Sequence, residues 1–407
     1  MQRFVNFVKN ETVLSIAVIL AVLSAAFIPV DSQYLNYIDF RTLGLLFCLM
    51  TVIAGVRRRG VFSVIAGRLV AGSKGIAGTV TVLVLAAFFL SMLITNDVSL
   101  ITLVPLTLNC FDKMPESTRK NWLIPAVVLE TIAANLGSMA TPIGNPQNLY
   151  LYGLSDLSFT AFLRIILPYS IFSLVLLLIW IKVQEKLAGD AGSHNTASAV
   201  AGDAGSQNAA SAVAGDAGNP AGASIPAGKE TETVTEPRAI AAYLVLFLLC
   251  LTTVARIAPW PVPFAAVLFY VLTSDRSTIR EVDYSLLGTF LALFIFIGNL
   301  GRIPSFRSAL SDILTGHEVF TAIAASQVMS NVPAAILLSG FTDKIEALII
   351  GTNLGGLGTM IASMASLISY KLITKGGNVS KGRYLLYFTG ANVAFLICLI
   401  ALHLVIA

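Results

Sequence analysis

The segment "TNDVSLITLVP", Thr95 to Pro105, sets an amide and a carboxylate side by side, Asn96 and Asp97, within an otherwise apolar run. No basic residue lies nearby to neutralise the acid. A second segment, "SNVPAAILL" (Ser330 to Leu338), has the same form: a small hydroxyl residue, an asparagine, then apolar sequence again. What these pairs mean depends on their surroundings. Of the 407 residues, 56% are hydrophobic and 12% charged, whereas water-soluble domains carry about a quarter charged residues. Apolar runs recur at about 17 to 25 residues, the length that spans a bilayer as helix. They lack the alternation of membrane-barrel strands. The expectation is an all-α polytopic membrane protein whose solvent is lipid.

Net charge +4 is too small to suggest a nucleic-acid partner. Cys48, Cys110, Cys250 and Cys398 are scattered through apolar runs, which indicates buried thiols and neither a disulfide framework nor a metal site. The runs fall at 12–30, 40–56, 76–94, 98–111, 122–152, 162–183, 239–256, 261–274, 285–300, 318–341, 345–373 and 384–406. Two of them, 122–152 and 345–373, are too long for simple spans and hold Gly, Thr and Asn near the middle. Lipid does not tolerate the unpaired backbone such interiors create unless protein or a water-filled cavity satisfies it. Both are expected to be interrupted helices.

Basic residues concentrate on the cytoplasmic side of membrane proteins. With a cytoplasmic N-terminus, and with 76–111 and 318–341 as re-entrant hairpins, twenty of the 26 Lys and Arg residues fall on that side. Treating the first hairpin as a single crossing would separate the basic loops 57–74 and 113–120, so the hairpin arrangement is preferred. It puts the C-terminus outside, in a multi-pass protein of the inner (cytoplasmic) membrane. Between the halves, 188–219 carries the tandem "AGDAGSHNTASAV", "AGDAGSQNAASAV", a composition that cannot bury a core. The expected organisation is a first repeat over 1–187, a disordered cytoplasmic linker over 188–237 and a second repeat over 238–407.

The halves align in three places. "IDFRTLGLLFCLMTVIAGVRRRGVF" (38–62) matches "VDYSLLGTFLALFIFIGNLGRIPSF" (282–306), and "ITNDVSLITLVPL" (94–106) matches "MSNVPAAILLSGF" (329–341). "ANLGSMATPIGNPQNLYLY" (134–152) matches "TNLGGLGTMIASMASLISY" (352–370). One extra span, 239–256, turns the second half upside down relative to the first. Inverted repeats with interrupted helices are the architecture of secondary transporters, which bind solute where the breaks meet. Each repeat then contributes one re-entrant hairpin and one interrupted helix. Asp39 and Asp283, at equivalent span entrances, are expected to be helix caps.

At these residues the chain resembles the ion-transporter superfamily: divalent-anion:sodium symporters (citrate-transporter-like permeases), arsenite permeases and NhaD-type sodium/proton antiporters. "TPIGNPQNL" (141–149) is similar to the "TxIGTPPNL" stretch of the anion symporters, whose hairpin tips carry "SNT". The resemblance implies elevator-type alternating access and a homodimer. It places Thr95, Asn96, Ser330 and Asn331 at the ion and solute sites, including the sodium sites. Thr141, Pro142, Gly144 and Asn145, with Thr359 and Ser363, complete them. Asp97 stands where a hydroxyl is expected, and a tip of this kind is more like the arsenite permeases and the antiporters.

Sodium prefers oxygen ligands, by the logic that governs other hard cations. Breaks such as "NLGS" (Asn135 to Ser138) and "NLGGLG" (Asn353 to Gly358) expose carbonyls beside hydroxyls and amides. The N-terminal ends of the resumed half-helices suit an anion. Asp97 is expected to act on the transport pathway, as ionisable groups at membrane depth usually do, with an N-cap as its alternative. Glu130 is either a proton relay or a structural hydrogen-bonding group. The expected function is a secondary active transporter of a small anion, a carboxylate or an inorganic oxyanion, coupled to sodium or protons. The alternative is an arsenite or sodium/proton exchanger. No "HExxH" or Ser–His arrangement suggests an enzyme, and no cofactor is expected beyond the coupling ion.

Overall fold

The computed structural model describes residues 11–202, 236–375 and 379–406. Among these there is no strand. The first half comprises α1 (Thr12–Phe27), the single turn α2 (Tyr34–Tyr37), α3 (Phe40–Arg58), α4 (Val61–Ala71), α5 (Gly75–Ile94), α6 (Asn96–Asp112), α7 (Glu116–Ser138), α8 (Pro146–Leu154) and α9 (Phe159–Gly202). After it come α10 (Pro237–Val254), α11 (Pro261–Ser274), α12 (Tyr284–Gly301), α13 (Pro304–Leu314), α14 (Glu318–Met329), α15 (Asn331–Ser339), α16 (Ile345–Leu354), α17 (Met364–Thr374) and α18 (Lys381–Ile406). Six described stretches are long and apolar enough to cross a membrane: α3, α5, residues 159–188 of α9, α10, α12 and α18. The protein is therefore a multi-pass membrane protein. α9 runs on through the first part of the expected linker, and 203–235 lie outside the described residues.

The order α3 to α9 recurs as α12 to α18, and local chemistry recurs with it. Asp39 and Asp283 are the expected N-caps, accepting from Thr42 N at 3.0 Å and Leu286 N at 2.9 Å. Each break falls where the sequence places it, after Ser138 in the first half and after Leu354 in the second. Gly137 lets α7 lie directly on α5: a Cβ there would stand 2.1 Å from the Phe88 carbonyl oxygen. Its partner Gly355 is tight in the same way, 2.7 Å from Ser326 Oγ. Besides the single turn α2, the helices α4 and α13 lie outside the apolar runs. Each is an 11-residue helix between a span and a hairpin, too short to cross a bilayer.

The helices form two groups. α1 packs on α12, and α10 and α11 pack on α3, making a panel. The hairpins α5–α6 and α14–α15 pack on α7 and α16, with α8 and α17 crossing between the halves: α8 lies against α15 and α16, α17 against α6 and α7. One end of the panel is tied by ions. Arg57 pairs with Glu281 at 2.9 Å, Arg58 reaches Asp275 at 3.4 Å, and Arg59 bonds both Asp275 (3.0 Å) and Glu236 (2.8 Å) while lying over the Tyr243 ring.

Burial alone would raise the Asp275 carboxyl, but hydrogen bonds from Ser277, Thr278, Tyr243 and Arg59 outweigh it and hold the group well below the usual carboxylate range. Its side chain is 10% exposed. Asp275→Asn should therefore cost about 2 kcal/mol, the penalty for leaving a mostly buried guanidinium short of its partner, read as a lowered Tm in detergent. The sign follows from a depressed folded value. The stabilisation is complete above the unfolded carboxylate pKa of about 3.9 and is lost as pH falls through the folded value. The gap between wild type and variant should stay constant from neutral pH down to about pH 4 and narrow below it.

Candidate functional site

Each hairpin turns on one residue with left-handed φ. Thr95 has φ 73° and ψ 153°, Ser330 φ 75° and ψ 154°. Neither is glycine, and both hold a conformation that L-residues rarely adopt. What compensates is the next residue. Asn96 N–H donates to the Gly144 carbonyl at 3.2 Å, and Asn331 N–H donates to the Ala362 carbonyl at 3.0 Å. Gly144 and Ala362 are aligned positions, so both tips plug into their breaks in the same register. A second pair of bonds repeats this: Thr141 Oγ1 donates to the Met92 carbonyl at 2.5 Å and Thr359 Oγ1 to the Gln327 carbonyl at 3.0 Å.

Inside these tips lies a buried amide centre joining the halves. Asn135 Oδ1 accepts from Asn96 Nδ2 at 3.0 Å and from Ser363 Oγ at 2.9 Å. Asn353 Oδ1 accepts from Asn145 Nδ2 at 3.0 Å. Asn135 aligns with Asn353, and Asn145 with Ser363, so the two cross-half bonds are the same contact made in both directions. Asn353 Nδ2 also donates to Asn148 Oδ1 at 2.6 Å, and Asn145 Oδ1 accepts from Asn148 N–H at 2.9 Å.

The expected residues thus divide. Asn96, Asn135, Asn145, Asn353 and Ser363 share one network, with Asn331 and Ser330 at the second tip. Gly144 serves through its carbonyl, and a Cβ there would meet the Ser138 carbonyl oxygen at 2.1 Å. Pro142 is buried in the turn beside it. Thr141 and Thr359 fasten hairpin to break, and Thr359 is exposed rather than central.

Two residues outside the expected set belong here. Asn148 is the second asparagine of "NPQN", and its position in the first turn of α8 was the available signal. Gln327 donates to the Gly355 and Leu357 carbonyls at 3.0 and 2.9 Å and accepts from Thr359 N–H at 2.9 Å. It occupies the position of Met92, so the repeat alignment could not reveal it.

A cavity of about 170 Å³ adjoins the first tip. Thr95, Asp97 and Asn145 line it from one side, and α3 and the start of α12 from the other, with Arg57, Glu281 and Asp283 among the lining. Arg57 is already paired with Glu281. Asp97 N–H donates to Asn96 Oδ1 at 3.0 Å, while its own Oδ1 is buried without a partner. The alternative role as an N-cap is therefore not what this carboxylate does: its residue lies inside α6, and no side-chain cap bond forms at that helix start. Glu130 lies deeper in α7, fully buried, and its Oε1 accepts from Thr107 Oγ1.

The family model for citrate transporters matches residues 4–343. The inner membrane protein YbiR of Escherichia coli is 28% identical, covering 91% of this chain and 90% of that protein. The uncharacterized transporter MJ0456 of Methanocaldococcus jannaschii is 30% identical over the same shares, 91% and 90%. The silicon efflux transporter LSI3 of Oryza sativa subsp. japonica is 37% identical over 35% of this chain and 28% of its own length.

The amide centre predicts a coupled loss. Asn353→Ala leaves the amides of Asn145 and Asn148 short of partners, which should cost about 1–3 kcal/mol. Asn145→Ala should cost a similar amount. The double variant should lose clearly less than the two singles together, because they remove one shared contact. Thermal unfolding of the four proteins in detergent checks this, and strict additivity would show the side chains to be independent.

Proposed function

The chain belongs to the citrate transporter family, and from that premise we propose a secondary active transporter of a small anion, a carboxylate or an inorganic oxyanion, coupled to sodium or protons. The membrane transporter class is common ground with its relatives; solute, ion and motion are the proposal. The observation that carries it is the reciprocal pair of bonds between Asn135 and Ser363 and between Asn353 and Asn145. Contacts made in both directions are what a two-fold relation between the halves produces, and this supports inverted repeats with interrupted helices around one site. The grouping into panel and hairpin helices supports an elevator motion of the second group against the first. Solute and coupling ion would be held by Thr95, Asn96, Ser330 and Asn331, with the amides of Asn135, Asn145 and Asn353 behind them. The distribution of basic residues supports a cytoplasmic N-terminus and an outer C-terminus, and the name of YbiR supports the inner membrane.

Asp97 favours a second reading, an arsenite or sodium/proton exchanger. An anion entering the cavity meets the carboxylates of Asp97 and Asp283, and the guanidinium of Arg57 is already committed. A carboxylate buried without donor or countercharge is tolerated only with a proton or cation on it. Whatever the solute, Asp97 then determines the ion that accompanies it.

Uptake by proteoliposomes of citrate, succinate, sulfate, phosphate and arsenite, each with and without a sodium gradient, tests both readings. Movement of none of these solutes would reject the anion proposal, and arsenite alone would select the second. Asp97→Asn should abolish sodium dependence if sodium sits at this carboxylate, or pH dependence if a proton does. Unchanged ion and pH dependence in a folded Asp97→Asn protein would remove Asp97 from the mechanism.

A further inference from the structure

Glu130 has no part in the site just described, yet its setting is unusual for a structural acid. It is fully buried, five residues from Asn135 and therefore about 7.5 Å along α7 from the amide centre. Thr107 on α6 satisfies Oε1, and Oε2 has no partner. Buried polar groups in native proteins are nearly always paired, and an isolated carboxylate in a low-dielectric interior is too costly to persist as a charge.

No cation faces it. The thiol of Cys110 on α6 and the phenol of Tyr384 on α18 are the titratable groups that feel its charge. Lys113, beyond the end of α6, acts on Cys110 and not on Glu130. α5 carries no titratable side chain. α17 carries Tyr370, its ring tilted against Tyr384 with centroids 5.7 Å apart, and Lys371, which is exposed in its last turn, and neither α9 nor α16 contributes a charge that acts on Glu130.

Between Glu130 and the amide centre runs a column of hydroxyls. Ser363 bonds Asn135 at 2.9 Å, and two turns further along α17 Ser369 bonds Thr131 at 2.7 Å. Ser366 lies between them, fully buried, its Oγ without a partner. Tyr384 lies by Thr131 and Glu130, its hydroxyl also buried and unpaired. Three unpaired groups, Ser366 Oγ, Tyr384 Oη and Glu130 Oε2, thus occur along one polar path through an apolar core.

We propose that Glu130 is a proton-binding site of the transport cycle, carrying its proton on Oε2 while Thr107 holds Oε1, with the hydroxyls of Tyr384, Thr131, Ser369, Ser366 and Ser363 linking it to the amide centre. The proposal rests on the secondary-transporter reading and specifies where one proton is held. Only protons move: as the O–H bond at Oε2 breaks, each hydroxyl of the column accepts one proton and gives up its own to the next, the last passing to water, and the reverse sequence reloads Oε2. The site is separate from Asp97, which lines the cavity and has no place in this column.

Infrared difference spectra of the purified protein between about pH 5 and about pH 9 read the proton without any solute. A protonated-carboxyl band should change with pH in Asp97→Asn and be missing from the double variant that adds Glu130→Gln to it. In proteoliposomes containing a trapped pH dye, Glu130→Gln should reduce citrate uptake driven by a pH gradient about tenfold or more, a loss of coupling. Citrate-for-citrate exchange should fall no more than about twofold, and Glu130→Asp should restore part of the pH-driven uptake. The proposal is overturned if the band is absent from Asp97→Asn or persists in the double variant. Uptake and exchange falling together with an unshifted pH profile would also overturn it, as a merely structural glutamate would give that result. Wild-type protein that carries no citrate would count against the solute assignment, and the infrared result would still decide on Glu130.

Discussion

Two backbone hydrogen bonds hold this architecture together: Asn96 N–H to the Gly144 carbonyl and Asn331 N–H to the Ala362 carbonyl. A helix broken inside a membrane leaves donors and acceptors that lipid cannot satisfy. Here each broken helix receives the tip of a hairpin, and each tip receives a carbonyl in return. The two left-handed residues, Thr95 and Ser330, are the local strain that makes the approach geometrically possible. Neither the breaks nor the tips would persist alone.

From that mutual satisfaction the site follows. Pinning both tips brings four asparagines of the first half and one of the second within bonding distance, and the amide side chain, with donor and acceptor at one end, suits a network that must close on itself. The reciprocal contacts make the centre nearly symmetric. Its asymmetries are where function is expected to reside: Asp97 opposite Val332, Asn148 opposite the unpaired Ser366, and Gln327 opposite Met92. A two-fold frame with unequal contents can bind an ion in one half and position a solute between both.

The contacts that join the helices are also of two kinds. The panel is bound at one end by Arg57, Arg58 and Arg59 to Asp275, Glu281 and Glu236, where partly exposed ion pairs are cheapest to keep. The hairpin group meets the panel through apolar surfaces around the cavity lined by Leu46, Leu49 and Ile53, and through Arg41 and Arg256, which donate to the carbonyls of Gly153, Tyr152 and Ser155 at the end of α8.

Much of this was legible in the chain itself. Lipid solvent, the interrupted helices, the hairpin tips and the caps Asp39 and Asp283 follow from composition, from Gly and Asn in overlong apolar runs, and from alignment of one half with the other. These are local constraints, and local sequence expresses them. The short helices α4 and α13 were missed because spans were sought by length. Gln327 and Asn148 were missed because their roles depend on which carbonyl or amide a distant segment brings near. The partnership of Asn145 with Asn353, the separation of Asp97 from its expected cap, and the unpaired oxygen of Glu130 are properties of packing between segments far apart in the chain. Sequence determined which groups could not be left to lipid; only the tertiary structure decided which of them satisfy one another and which were left without a partner.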